Sequence, residues 1–345
     1  MTIATLKRIV LACGVMGAIT ASATQAAAES TLDTVKKRGE LVCGSNGSAP
    51  GFSLVDKSGK WTGLDVELCR AIAAAALGDA SKVKFVPLSA EKRFAALAAG
   101  EVDVLARNST VSLQRSAGTQ KIRYAAINYY DGQGFVVHKM MNINRVSGLA
   151  NKTVCVSKGT THQYNMQQWF GLRGFNVKEL VFDKPEEMYA AFFAQKCQGV
   201  TQDATALAAA VVASGHAAEY VMLPDIISKE PLGPYVREGD SQWLDIVRWT
   251  HYAMVEADER EITTNNVDGK LEAHDLNVKT FLGVTPGNGK VLGLDEKWVY
   301  NIIKQVGNYG ESFERNLGQG SELKFGRGIN ALWNKGGAMY APPLH

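Results

Sequence analysis

Short apolar runs alternate with stretches of helical period along most of the chain. Leu41-Val42-Cys43 reads as a strand, Asp65 to Leu77 as a helix with Leu68, Cys69, Ile72 and Ala76 on one face, and Val83 to Val86 as a second strand. Glu91 to Ala99 supplies another helix with Phe94, Leu97 and Ala98 inward and Gly100 as its stop, and Val102 to Ala106 is the next strand-like run. The rhythm restarts after Tyr129-Tyr130-Asp131-Gly132-Gln133-Gly134. Thr153 to Ser157 reads as a strand, Gly159-Thr160-Thr161 as a turn, His162 to Leu172 as a helix, Leu180 to Phe182 as a strand, Pro185 to Gln195 as a helix and Gly199 to Gln202 as a strand. Two similar α/β units, each a mostly parallel sheet flanked by helices, account for this order better than one enlarged sheet. Ligands of open sheets sit beyond the carboxyl ends of strands, where Asn108, Thr161 and Asp203 all fall, so a cleft between two lobes is expected.

The last third is less regular. Trp243 to Glu256 and Glu296 to Gln305 have helical spacing, whereas 263–293 mixes Asn, Gly and Pro with little period. Gly287-Asn288-Gly289 with Gly293 has the glycines of a phosphate loop, but no G-K-[ST] ending and no clear preceding strand, so a plain turn is expected.

The first 28 residues change the picture. Lys7 and Arg8, an apolar stretch from Ile9 to Ala23, and Ala26-Ala27-Ala28 have the layout of a secretory signal peptide cleaved near Ala28. A lipoprotein reading through Leu11-Ala12-Cys13 leaves too short an apolar core after the charges. No later segment is apolar for long enough to span a membrane. With 37 Lys+Arg against 34 Asp+Glu, the near balance argues against nucleic acid or an anionic membrane as partner. Cys43, Cys69, Cys155 and Cys197 lie beyond the leader, and four cysteines in an exported chain allow three disulfide connectivities. Cys43 on the opening strand faces the helix bearing Cys69, and Cys155 and Cys197 share the middle third, so one bridge per lobe is expected. No C-x-x-C pair or histidine at ligand spacing accompanies them, and neither a metal nor another cofactor is expected.

The candidate chemistry centres on Arg115, which can offer two parallel N–H donors to a carboxylate, although alone it could be a plain surface arginine. Asn108 and Thr110 add polar groups at a strand end, or are ordinary turn residues. Thr161 stands at a predicted helix start, where free N–H groups and the helix dipole favour an anion, or serves as a cap. Asp203 follows a strand and can accept from an ammonium, or caps the next helix. Together they describe a pocket for a free α-amino acid.

Several ordered motifs carry a resemblance. Leu41 through Gly63-Leu64-Asp65-Val66, Gly100-Glu101-Val102-Asp103, Asn108-Ser109-Thr110 with Arg115, Tyr129-Tyr130, Gly159-Thr160-Thr161 and Gln202-Asp203 make residues 31–256 resemble the polar amino-acid family of periplasmic solute-binding proteins from ABC importers. Asn46-Gly47, Pro50-Gly51-Phe52, Trp61 to Asp65 and Tyr129 to Phe135 are most similar to its general L-amino-acid-binding subgroup. The resemblance implies a two-lobe type II binding fold with residues 29–136 in lobe 1, 137–230 in lobe 2, and 231–345 returning to lobe 1 with an extension. It implies glutamate, glutamine, aspartate or asparagine as ligands, a membrane permease as partner, and a monomer. Arg115 would hold the α-carboxylate, helped by Thr110 and Thr161, and Asp203 the ammonium, with Asn108 beside it.

Two departures bear on specificity. Asn46 and Ala49 replace the acid and the aromatic ring of many relatives, which removes the stacking wall of binders for basic or aromatic ligands. Arg93 matches an arginine of acidic-amino-acid binders, or is a solvated helix residue, and His162 is expected at the surface with at most a reach toward the ligand side chain. The competing class is a periplasmic prephenate dehydratase-like enzyme on the same fold. It would need an added general acid, for which Asp203, Glu67 and Glu186 are the only candidates, and no nucleophile elbow or activated cysteine is present.

Overall fold

The structure, a computed structural model, describes residues 29–344, so the expected signal peptide with Lys7, Arg8 and Cys13 lies outside the described residues. Helix α1 (Thr31–Arg38) leads into β1 (Leu41–Ser45), a small three-stranded sheet of β2 (Ser48–Ala49), β3 (Ser53–Val55) and β4 (Trp61–Thr62), and α2 (Leu64–Leu77). There follow β5 (Val83–Pro87), α3 (Arg93–Ala99), β6 (Val104–Leu105), α4 (Leu113–Ala117) and β7 (Ile122–Tyr124). The second unit comprises β8 (Tyr129–His138), β9 (Thr153–Ser157), α5 (Thr161–Gly171), β10 (Lys178–Phe182), α6 (Pro185–Phe193), β11 (Gly199–Asp203), α7 (Ala204–Ala213) and β12 (Tyr220–Met222). β13 (Lys229–Leu232) and β14 (Tyr235–Arg237) carry the chain back.

The first sheet has the order β5-β1-β6-β14-β7 and the second β10-β9-β11-β8-β12, with β13 paired to β8. In each sheet the three strands joined by helical crossovers are parallel, while β14 and β8 pair antiparallel to their neighbours. These two strands arrive from the other lobe rather than over a helix, so nothing forces the parallel direction on them. The chain leaves the first sheet after Tyr124 and joins the second along β8. Tyr129–Gly132 pairs with Lys229–Leu232 of the returning strand and Tyr129 packs in the core of the first lobe, whereas Gln133–His138 pairs with the strands of the second sheet, so the outward crossing runs through the first half of β8, earlier than the expected 134–139. The local pattern from Tyr129 reads equally well in either lobe, and only its partners decide. The return passes through Gly233-Pro234.

Phe135 and Val137 pack with Val154, Val156, Met166 and Phe170 on one side of the second sheet, and Val136 with Cys155, Met188, Phe192 and Val200 on the other. Burial on both faces explains why Phe135-Val136-Val137 of β8 and Val154-Cys155-Val156 of β9 are apolar without alternation. Helix α2 is likewise buried nearly all round rather than on one face. The reason lies downstream: α8 (Ser241–Glu259), α9 (Val267–Lys270), α10 (Leu276–Phe281), α11 (Asn288–Leu292), α12 (Trp298–Gln305) and α13 (Tyr309–Asn316) wrap the first lobe, and residues of α2, α8, α12 and α13 share one apolar core. The aperiodic 263–293 segment thus holds three short helices. In its Gly287-Asn288-Gly289 turn the Glu296 carboxylate accepts from the N–H groups of Gly287 and Gly289 at 2.8 and 3.1 Å, so the chain itself fills that anion nest.

The extension also reaches the crossing. Asn330 accepts from Tyr130 N at 2.7 Å and donates to Tyr130 O at 2.9 Å, in the manner of a neighbouring strand, while Tyr309 donates to Asn128 O. Gly63, with φ 129°, starts α2 where a Cβ would meet Phe52 O at 2.1 Å, so only glycine fits. Disulfides join Cys43 to Cys69 and Cys155 to Cys197, one per lobe. Closing loops of 26 and 42 residues restrains the unfolded chain by about 3–4 kcal/mol each.

Candidate ligand-binding site

The carboxyl ends of β6, β9 and β11 meet between the lobes. Asn108 has φ 34°, a left-handed conformation that asparagine tolerates, and its N–H donates to Asp65 at 2.6 Å. This tether turns the Asn108 side chain across the cleft, where Nδ2 donates to Asp203 Oδ2 at 3.2 Å and Oδ1 accepts from Asn46 at 3.4 Å. Asp203 occupies the N-cap position of α7 but its side chain makes no capping bond. Its other oxygen meets His162 Nε2 at 2.9 Å. His162 is accordingly buried rather than at the surface, a correction to the sequence reading. A residue opening a helix is exposed or buried according to which distant segments pack over it, which local pattern does not reveal.

Thr160, not Thr161, caps α5, accepting from Gln163 N, which leaves Thr161 at the first helical position facing lobe 1. Thr110 and Thr161 lie 3.4 Å apart across the cleft, and both hydroxyls donate to Glu230 Oε2, at 2.5 and 2.9 Å. Ser48 with Glu186, and Glu91 with Lys158, pair at the cleft mouth at 3.1 Å each. The lobes are therefore closed on one another. The cavity left at their centre measures about 10 Å³, room for about one water molecule. A larger ligand enters only when the lobes part.

Arg93, Arg107, Asn108, Thr110, Thr161 and His162 line this cavity. Arg93 is buried, not solvated, and its Nε has no hydrogen-bond partner among the described residues. Arg115 stands behind the lining: its Nη1 donates to Thr110 O at 2.9 Å, and its guanidinium lies 5.2 Å from the Phe94 ring, which the Arg93 guanidinium also approaches, at 4.7 Å. Burial pulls all three guanidinium pKa values down, that of Arg107 to about 10. Arg107 escaped the sequence reading although it ends the same strand as Asn108. So did Asp65 and Glu230, which act through side chains that already read as helix and loop polarity.

Acids balance this charge at the cleft floor. Burial lifts Asp65 to about 6 and, with the neighbouring Asp203 charge, Asp131 to about 7. Burial alone would lower His162, but Asp203 and then Glu230 outweigh it and favour the imidazolium. His162, Asp203 and Glu230 offer atoms within 4.8 Å of one another, a cation-holding group that cysteine and histidine spacing gave no sign of.

One consequence is measurable. Between about 4 and 7 the folded chain keeps the Asp131 proton that the unfolded chain has released, so this group's contribution to stability falls as pH rises through that window. His251, lowered to about 4 by burial, acts in the opposite sense below its ordinary value of 6.5. Asp131→Asn keeps an oxygen for Gly132 N and Thr205 N and leaves His251 untouched. It is expected to flatten the decline of Tm from pH 5 to pH 8 and to match or exceed the parent at pH 8. A variant less stable than the parent at pH 8 would count against the raised Asp131.

Two mixed sheets joined by paired crossing strands, with polar strand ends facing one another over a closable cleft, define a two-lobed solute-binding protein. Residues 41–265 match the family of Bacterial extracellular solute-binding proteins, family 3, and the chain belongs to it. It is 44% identical over 341 residues to the General L-amino acid-binding periplasmic protein AapJ of Rhizobium johnstonii, covering 98% of this chain and 100% of that one. It is 45% identical to the Glutamate/glutamine/aspartate/asparagine-binding protein BztA of Rhodobacter capsulatus over 95% of this chain and 97% of that one. Among solved structures, an ABC transporter / periplasmic binding protein from Brucella ovis with glutathione bound superposes with a TM-score of 0.89, at 45% identity, over 92% of this chain and all of that one. These relatives are binding proteins, and nothing in them supports the dehydratase alternative.

Proposed function

We propose that this chain, exported to the periplasm with cleavage near Ala28, binds free polar or acidic L-amino acids and presents them to an ABC importer. The observation that carries this reading is the buried juxtaposition of Asp203 from one lobe with Asn108 and three nearby guanidinium groups from the other. A zwitterion needs both signs of charge, and here they come from opposite jaws. The ammonium is held at Asp203 with Asn108 beside it. The α-carboxylate goes to Arg115 and to the N–H groups at the start of α5, and Arg93 and Arg107 are left for a side-chain carboxylate or amide. A ligand touching both lobes binds the closed form better than the open one, and that difference drives closure. The importer then recognises the closed form of the monomer.

A second reading extends the ligand. A cavity of about 320 Å³, bounded by Asn46, Ser48, Arg107, Pro185 and Glu186, adjoins the central one and shares Arg107 and Pro185 with it. Together with the glutathione of the Brucella ovis relative, it supports a γ-glutamyl peptide whose glutamyl end occupies the centre. Thermal-shift screening against the twenty L-amino acids and glutathione tests both. A ligand at 100 times its dissociation constant stabilises by about 2.7 kcal/mol. Glutamate, glutamine, aspartate and asparagine are expected to raise Tm. No shift with any amino acid would sink the first reading, and a shift with glutathione alone would replace it by the second.

A further inference from the structure

Glu230 lies on the returning crossing strand β13 and is fully buried. Its carboxylate is the meeting point of four side chains. Oε2 accepts from Thr110 of lobe 1 and Thr161 of lobe 2, and Oε1 from Asn165 and Ser228, at 2.9 and 2.5 Å. A carboxylate only accepts, and a hydroxyl has one proton to give. Both threonine protons are therefore committed to Glu230. What Thr110 and Thr161 turn toward the central cavity, which both of them line, is lone pairs.

That commitment changes the chemistry of the two threonines. A hydroxyl without a free proton cannot support an α-carboxylate, and two such oxygens 3.4 Å apart, close to the Asp203 and His162 cluster, suit a group with several N–H donors. We propose that Glu230 is a positioning residue for the ligand: by taking both hydroxyl protons it makes Thr110 and Thr161 acceptors for the α-ammonium and reserves the carboxylate for arginine and backbone N–H groups. The inference rests on the amino-acid reading given above. It reverses the role that the resemblance implies for the two hydroxyls, and it assigns selection for the amino group to a residue that never touches the ligand.

The test compares L-glutamate with glutarate, the same dicarboxylate without the ammonium, by calorimetry on the full mature chain. In Glu230→Gln an amide donor can face the threonines, whose hydroxyls then turn their protons inward. The preference for glutamate over glutarate is expected to fall at least tenfold, because glutamate weakens while glutarate holds or improves. A merely structural role would weaken both together and leave the ratio unchanged, which would overturn the proposal. Should Glu230→Gln fail to fold by thermal unfolding, Thr110→Val and Thr110→Ser replace it: valine must lower the ratio and serine restore it, and a ratio indifferent to valine is equally fatal. A parent protein that binds no L-amino acid sinks the amino-acid reading and this inference together, whereas a parent that binds glutamate beside a variant with an unchanged ratio sinks the inference alone.

Discussion

Arg115→Ala is expected to weaken binding of the preferred amino acid by about thirtyfold or more, because unpairing a buried ligand carboxylate from its guanidinium costs about 2–5 kcal/mol. The fold holds the residue ready for this task. Ser112 caps the short helix that carries it, Phe94 lies against its plane, and among the described residues only Nη1 is engaged, at Thr110 O. Thr110 O also accepts from Tyr235 at 2.8 Å, so the strand end keeps its place when the arginine is cut back. Arg115→Lys keeps the charge but loses the two-pronged geometry and should recover only part of the affinity. Arg93 and Arg107 line the closed cavity and Arg115 does not, which makes the comparison discriminating. If Arg115→Ala binds like the parent while Arg107→Ala loses the ligand, the α-carboxylate lies on Arg107 and the assignment to Arg115 is wrong. Calorimetry with matched Tm values reads all three variants.

Local pattern carried the parts of this molecule that depend on neighbours in sequence. The strand ends at Asn108 and Asp203 and the helix start at Thr161 were legible because period-2 runs stop at polar residues and a glycine precedes the helix. The Cys43–Cys69 bridge followed from a strand and helix that had to pack, and Cys155–Cys197 from two cysteines in consecutive segments of the middle third. What could not be read depends on contact between segments far apart in sequence. His162 is buried by Asp203, which is 41 residues away. Glu230 sits in Ser228-Lys229-Glu230-Pro231, a run that reads as a charged loop, and becomes a buried centre only because Thr110 and Thr161 arrive from two lobes. The extension was opaque for a related reason. Its helices are short, and their order comes from packing on α2 and from Asn330 bridging to the crossing strand, neither of which leaves a periodic trace.

The electrostatics of the cleft single out Asp203 for the second large effect. Asp203→Asn removes the anion proposed to hold the ligand ammonium, which also helps to favour the His162 imidazolium. The amide keeps nearly the same shape, so Asn108 and His162 retain a polar neighbour and the fold is expected to survive with little change in Tm. Binding is not: a desolvated ammonium loses its charge partner, and about 2–5 kcal/mol is again at stake, or roughly thirtyfold to several thousandfold in Kd. The loss should be confined to ligands that carry the ammonium, because the guanidinium groups on the other jaw are untouched. Affinity for glutarate should hold or rise, since one negative charge has left the site. The variant therefore separates the two ends of the zwitterion, as Arg115→Ala does from the other side. Equal losses for glutamate and glutarate would mean that Asp203 acts through the fold, and an unchanged affinity for glutamate would remove it from the site.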